Sequence, residues 1–272
     1  NMAEQNIKRP PKHHVSLKLF EECRRKGTLL FNNDEVKRVS GERFRNQFDA
    51  TKFDTRDSLP EELVRKGYCV VHLGRGNHCF LKAVNLWYHN FEDIKDPEDI
   101  VPWRYRKSLL NDIERGEAST LSFALNQRIL HDFIYEDVAA SPKVYLPGRT
   151  KASLSYRVGK THITAEGQQI EIDLTLEYQG MVTVVESNSK FIPNFEVYKI
   201  FHPIKYYLGK ADEAKIKIDH INACYVLKQA PSGRKKSDSE TRVRMYLYEF
   251  KNPDRLDSIR LVRKAEYRLR QR

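Results

Sequence analysis

Between Gln168 and Lys190 the chain reads QQIEIDLTLEYQGMVTVVESNSK, and within it Glu171, Asp173, Glu186 and Asn188 are spaced to act together. Two runs rich in β-branched and aliphatic residues, Ile170–Leu176 and Met181–Val185, flank Gln179-Gly180. That pattern predicts a β-hairpin with a two-residue turn, glycine supplying the positive φ such turns need. With those two residues as the loop, Tyr178 faces Met181, Asp173 faces Glu186 and Glu171 faces Asn188. Side chains alternate along a strand, so the four polar residues share one face and Ile172, Leu174, Leu176 and Val185 take the other. Directly opposed like charges destabilise a sheet. An Asp–Glu pair placed this way calls for a cation, a shared proton or a solvated setting. One reading is a wet acidic surface hairpin. The other, which we favour, is a divalent-metal site in which Asp173 and Glu186 hold Mg²⁺ beside a phosphodiester.

The elements that must position this pair belong to a chain of 272 residues, long enough for one large domain or two modest ones. Its 40% hydrophobic and 31% charged residues fit a folded protein and exclude a disordered one. No apolar run approaches the ~18 residues of a membrane span, and the opening NMAEQNIKRPPKHH is too polar and basic for a secretory signal. With 48 Lys and Arg against 37 Asp and Glu, the formal charge of +11 favours a polyanionic partner, nucleic acid first and an acidic membrane surface second. The four cysteines, Cys23, Cys69, Cys79 and Cys224, follow no disulfide spacing, which suits a reducing compartment. Cys69, His72, His78 and Cys79 form the one cluster with zinc-type ligands. Because His78 and Cys79 are adjacent on a strand and point opposite ways, core packing is the better account of the cysteines.

Upstream of the hairpin, residues 15–26 carry an apolar helical face ending at Gly27, Asn33-Asp34 suits the cap of a second helix, and Ser58–Glu62 opens a third. After Gly67 the period changes, and Tyr68–Leu73 and His78–Lys82 flank Gly74-Arg75-Gly76-Asn77 as a hairpin with Arg75 at its tip. Helices followed by a basic hairpin give the order of a winged helix-turn-helix, or of another small α+β unit, over residues 1–91. Residues 92–104 read as a connection. A long helix is expected over Glu117–Tyr135, then a short strand and a turn at Pro147-Gly148. Arg149, Lys151, Arg157 and Lys160 make the next stretch basic, for phosphate contact or simply for solvation. Asn194–Tyr207 reads as an amphipathic helix kinked or ended near Pro203, with His202 packed in an aromatic run. Strands are expected over Ile218–Lys228 and Arg242–Phe250. Between them lies PSGRKKSDSET, whose Arg234, Lys235 and Lys236 make it a basic loop suited to the DNA backbone.

These residues together, from about Glu117 to Leu269, resemble a type II restriction endonuclease of the PD-(D/E)XK nuclease superfamily. The hairpin IEIDLTLEYQGMVTVVES followed by FEVYKIFHPIKYY carries the resemblance. It implies an α/β (α+β) architecture: a nuclease core of mixed sheet flanked by helices over residues 92–272, beside the winged-helix-like module. It makes Asp173 the first metal-binding carboxylate and Glu186 the second, with Glu117 as an additional acidic residue. Two positions depart from the motif. Ile172 stands where proline is usual, and Asn188 stands where the motif has a lysine that orients the attacking water and offsets developing negative charge. Lys190 reaching back, Lys199 from the next helix, or an inactive chain are the three ways to read that departure.

The implied function is Mg²⁺-dependent, sequence-specific cleavage of double-stranded DNA by a homodimer. The resemblance also implies a prokaryotic cytoplasmic setting and a cognate DNA methyltransferase as functional partner. A non-catalytic DNA-binding protein on a nuclease-like scaffold is the alternative. Either way, duplex affinity should fall steeply between low and physiological salt as Lys and Arg contacts release counterions. A binding constant flat across a salt titration would exclude a nucleic-acid partner.

Overall fold

The computed structural model describes residues 10–41, 47–106, 108–112, 117–229 and 240–271. Arg234, Lys235 and Lys236 lie outside the described residues. Helix α1 (Pro11–Lys26) buries Val15, Leu19, Phe20 and Cys23 and ends on left-handed Gly27. Strand β1 (Leu30–Asn32) leads into α2 (Asn33–Ser40), whose cap is Asn32, one residue before the expected pair. The Asn32 side chain accepts the backbone N–H groups of Asp34 and Glu35, and Glu35 accepts the Asn32 N–H in return. After the short α3 (Glu61–Lys66), strands β2 (Cys69–Gly74) and β3 (Asn77–Leu81) turn over Arg75-Gly76, both at positive φ. The three strands form an antiparallel sheet in the order β1-β3-β2.

Helix α4 (Val84–Trp87) and β4 (Tyr88–Asn90) follow, β4 pairing with the distant β11 (Asn194–Glu196). Residues 92–104, expected as a connection, include most of a strand, β5 (Ile100–Tyr105). β5 lies at one edge of the main sheet, where Pro102 is tolerated because no ladder donor is needed on the open side. The long helix expected over 117–135 is broken. After α5 (Leu109–Asp112) come α6 (Glu117–Asn126) and α7 (Ile129–Tyr135), separated at Arg128 with φ 62°. The Arg128 guanidinium donates to the carbonyls of Val138 and Ala140, which holds the break.

Strand β6 (Lys143–Tyr145) precedes a long two-stranded ribbon, β7 (Gly148–Val158) and β8 (Thr161–Ile172). The central hairpin is β9 (Leu174–Tyr178) and β10 (Met181–Asn188). Gln179 at φ 48° and Gly180 at φ 79° form the two-residue turn, and Tyr178 faces Met181 as the pattern predicts. Helix α8 (Tyr198–Ala214) starts after β11 and continues through Pro203 instead of ending there. Strands β12 (His220–Gln229), β13 (Thr241–Phe250) and β14 (Ile259–Gln271) complete a seven-stranded mixed sheet, β5-β14-β13-β12-β10-β9-β6.

At its centre, in β9, β10 and β12, the sheet is apolar on both faces, so these strands read as near-continuous hydrophobic runs. On one face Leu174, Leu176, Val185, Cys224 and Val226 pack under Phe123, Ile129 and Phe133 of α6 and α7. On the other, Val184, Ala223, Tyr225 and Tyr246 meet Ile200, Phe201 and Ile204 of α8. This second core runs without interruption into the N-terminal unit through Trp87, Val70, Leu63 and Val15. The protein is thus a mixed α+β fold with a mixed sheet flanked by helices. No helix among the described residues is long and apolar enough to cross a membrane.

The β2–β3 hairpin is seated on the ribbon. A Cβ on Gly74, at φ +78°, would stand 2.1 Å from the Glu166 carbonyl oxygen of β8. Gly27→Ala, which meets open space, pays only the left-handed conformation, about 1–2 kcal/mol. Gly74→Ala must also displace β8 and should lower the melting temperature several degrees more, at roughly 2–4 °C per kcal/mol. Equal losses in thermal unfolding would show that the hairpin does not rest on β8.

Candidate active site

Asp173 sits where the chain leaves one sheet and enters another. Ile172 pairs with Gly148 in the ribbon, whereas Leu174 pairs with Val185 in the main sheet. The hairpin ladder ends at Val185–Leu174, so Asp173 and Glu186 are the next residue of each strand beyond its last pair. The predicted opposition of Glu171 and Asn188 does not occur. Glu171 pairs in register with Arg149 on β7, its carboxylate 2.7 Å from the Arg149 guanidinium, because the strand changes partner at Asp173. Beyond the last ladder pair, the Ser187 N–H and hydroxyl both donate to Asp173 Oδ2 at 3.1 Å. Burial raises the Asp173 pKa above the usual aspartate value, against these hydrogen bonds and the nearby Lys199 charge.

Lys199, in the first turn of α8, lies over the same face. Its ammonium donates to Asp54 Oδ1 at 2.9 Å. Burial acts to lower its pKa, but the carboxylates of Glu186, Asp54 and Glu196 outweigh that and hold it above the ordinary lysine range. The Asp54 segment is itself pinned: the Arg56 N–H donates to Asn194 Oδ1 at 2.7 Å and the Tyr88 hydroxyl to the Phe53 carbonyl at 2.7 Å. Glu196 is only 4% exposed and accepts from Trp87 Nε1 at 3.2 Å. Burial pushes its pKa up to about 8, against the lowering effect of Lys199 and the Trp87 hydrogen bond.

Of the residues proposed from sequence, Asp173, Glu186 and Lys199 are thus brought together. Lys190 is not part of this group: β10 stops at Asn188, and Asn188 Oδ1 accepts the Lys190 backbone N–H at 3.1 Å as the chain turns. Arg75 pairs with Glu166 at 2.9 Å on the ribbon, and Lys151 is exposed on β7. Asp54 and Glu196 escaped sequence reasoning. The available signal was a glutamate set between Phe195 and Val197, three residues before a lysine. His202 is buried, its Nε2 3.0 Å from the Tyr156 hydroxyl, and burial drops its pKa to about 3. The four cysteines are buried, and His78 bridges His72 and Asn33 at 2.8 Å each. Among the described residues no group of three or more His, Cys, Asp or Glu side chains could hold a metal ion. Two carboxylates remain, an oxygen-only set that suits Mg²⁺, which commonly takes one or two and keeps several waters.

The fold and this site define a mixed α+β protein with a paired-carboxylate and lysine centre at the end of a hairpin. Residues 84–268 match the family described as Domain of unknown function (DUF6997), and the chain belongs to that family. Residues 15–80 match a second domain of unknown function, DUF6996. No curated protein and no solved structure matches the chain.

The buried Glu196 has a pH consequence. Between the ordinary value of 4.5 and about 8, the unfolded chain releases this proton while the folded protein keeps it. The unfolded state then binds fewer protons, so this contribution to stability is full below the lower value and is lost as pH rises through the upper one. Glu196→Gln retains the acceptor for Trp87 and removes the ionisation. Urea unfolding should show the variant gaining on the parent from about pH 5 to about pH 9. A pH-independent difference would mean that Glu196 ionises normally.

Proposed function

We propose that the protein is a Mg²⁺-dependent endodeoxyribonuclease that cuts duplex DNA at a short specific sequence, a type II restriction endonuclease of the PD-(D/E)XK kind. What supports this reading is that Asp173 and Glu186 each follow the last pair of β9–β10 and that the Lys199 charge acts on both. The order of helices α6 and α7, hairpin, helix α8 and a strand β12 parallel to β10 agrees with such a core. So does the N-terminal order α1-β1-α2-α3-β2-β3, with its β1-β3-β2 sheet, for a winged-helix module. A homodimer acting beside a cognate DNA methyltransferase in a prokaryotic cytoplasm belongs to the same proposal.

In this mechanism Asp173 and Glu186 would hold Mg²⁺, which would supply Lewis-acid polarisation of the scissile phosphodiester. Ser187 fixes the orientation of Asp173 through its two hydrogen bonds. Lys199 takes the place of the motif lysine, its ammonium offsetting the negative charge that develops on the phosphoryl oxygens. The Asp54 carboxylate, which is exposed, keeps that ammonium charged and oriented until substrate arrives. Arg75 and Arg149 each hold an exposed ion pair worth about 0–1 kcal/mol, so a phosphate can replace the carboxylate partner at little cost.

The alternative, a DNA-binding protein without catalysis, draws on Asn188, whose side chain caps a turn at the position of the motif lysine. Cleavage assays with plasmid and a Mg²⁺ titration separate the two. Asp173→Ala and Glu186→Ala should abolish cutting while duplex binding in chelator persists, and Lys199→Ala should slow it about 10²–10⁴-fold. Asn188→Lys should change little, because a cation already serves the site. Parental cutting by either carboxylate variant would remove the site from this hairpin. Parental cutting by Lys199→Ala, with strong activation by Asn188→Lys, would remove Lys199 from the mechanism.

A further inference from the structure

We infer that Arg242, Arg244 and Arg268, gathered around the buried Glu266, form a phosphate-binding platform for the backbone of duplex DNA running past the acidic pair. The choice of polymer rests on the nuclease reading above; the platform itself rests on geometry. Arg244 Nε lies 2.8 Å and Arg268 Nε 2.9 Å from Glu266, with Arg242 Nε at 3.9 Å. Glu266 is 2% exposed, whereas the arginine side chains remain 42%, 26% and 37% exposed for Arg242, Arg244 and Arg268. One guanidinium, with about five N–H donors, suffices to satisfy a carboxylate bidentately. Three exceed that need and carry two positive charges more than Glu266 itself. Glu240 pairs with Arg270 at 2.8 Å and with Arg268 at 3.9 Å, so the four arginines together still outnumber the two glutamates by two charges.

The cluster is also held in place. The Arg244 guanidinium stands 4.3 Å over the Phe191 ring, which restrains its plane. Burial acts to raise the Glu266 pKa, but the hydrogen bonds from Arg244 and Arg268 override it, so the anchor stays ionised. Guanidinium groups fixed in this way spend little entropy when they meet a phosphate.

Register places the platform relative to the acids. Glu186 is level with Tyr225, Tyr246 and Lys264 across the sheet. The next row on the same face is Asn188, Leu227, Arg244 and Glu266, and the one after it includes Gln229, Arg242 and Arg268. Two to three strand spacings therefore separate β10 from the arginines, roughly 10–15 Å. With the offset of two to four residues along the strands included, Glu186 and the arginines are roughly 12–20 Å apart, the axial rise of about four to six nucleotides in one DNA strand. A strand whose scissile phosphate lies at Asp173 and Glu186 would present a phosphate that far along to the platform.

The test uses the full chain carrying Asp173→Ala, in chelator, with a labelled duplex followed by fluorescence anisotropy across a salt series. Arg242→Gln and Arg268→Gln leave the Arg244–Glu266 pair in place and should keep the parental melting temperature. Each should weaken binding several-fold and reduce the slope of log K against log salt by about 0.9, the value for one lost phosphate contact. Arg242→Lys and Arg268→Lys should restore most of the slope. Unchanged affinity and slope in the double Gln variant would overturn the platform, as would weakened binding with an unaltered slope. Tighter binding of duplex RNA than of DNA would overturn the assignment to DNA. The outcome is separable from the nuclease reading: a chain that cuts DNA yet shows no slope change loses only the platform, and one that never cuts yet shows the change keeps it.

Discussion

Strand β10 is hydrogen-bonded along both edges, antiparallel to β9 and parallel to β12, and is buried on both faces. Its register is what everything else depends on. Side chains alternate with period two, so a slip of one residue would exchange the faces of the whole strand. Val184 would then leave the α8 side and Val185 the α6–α7 side, and Glu186 would enter the apolar cluster under Phe123 and Phe133. An unpaired carboxylate there would be strongly unfavourable. The tight turn at Gln179-Gly180 prevents the slip locally, and the two cores prevent it globally.

Given that register, the polar end of the hairpin becomes a centre with an uneven charge balance. Glu186, Asp173, Glu196 and Asp54 lie around Lys199 of α8, with Lys12 and Lys52 also acting on Asp54. Burial raises the carboxyls while Lys199 opposes the rise, so the site tolerates acids that would otherwise repel. Asp54 comes from the N-terminal unit, and the core that carries α8 runs on into that unit. The N-terminal unit is therefore built into the centre, even though the two matching family regions divide between residues 80 and 84.

The ribbon β7–β8 has a different role. It packs Tyr156 against Phe201 and His202, receives the β2–β3 hairpin at Glu166, and then delivers the chain to Asp173. Its Arg149, and Arg75 of the hairpin it receives, are held by exposed carboxylates, which are weak partners. The arginines around Glu266 differ because their common anchor is buried and the plane of Arg244 is restrained by Phe191. Position on the sheet, not the number of basic residues, distinguishes the two sets.

Much of this was legible in the sequence because it is local. The turn at Gln179-Gly180, the pairing of Tyr178 with Met181, the β2–β3 hairpin and the strands β12 and β13 all follow from residue periodicity and turn chemistry. The inward placement of His202 does too. Local pattern also misled where a distant partner decided the outcome. Arg128 breaks a long apolar helix because carbonyls beyond it recruit its guanidinium, and Ile100–Tyr105 is a strand only because β14 lies beside it. Glu171 meets Arg149 instead of Asn188 because the chain changes sheets at Asp173. The lysine over the acidic pair, its Asp54 partner and the gathering of Arg242, Arg244 and Arg268 on Glu266 join residues far apart in the chain. No spacing rule connects such residues; the packing of α8 and the N-terminal unit over one sheet face does.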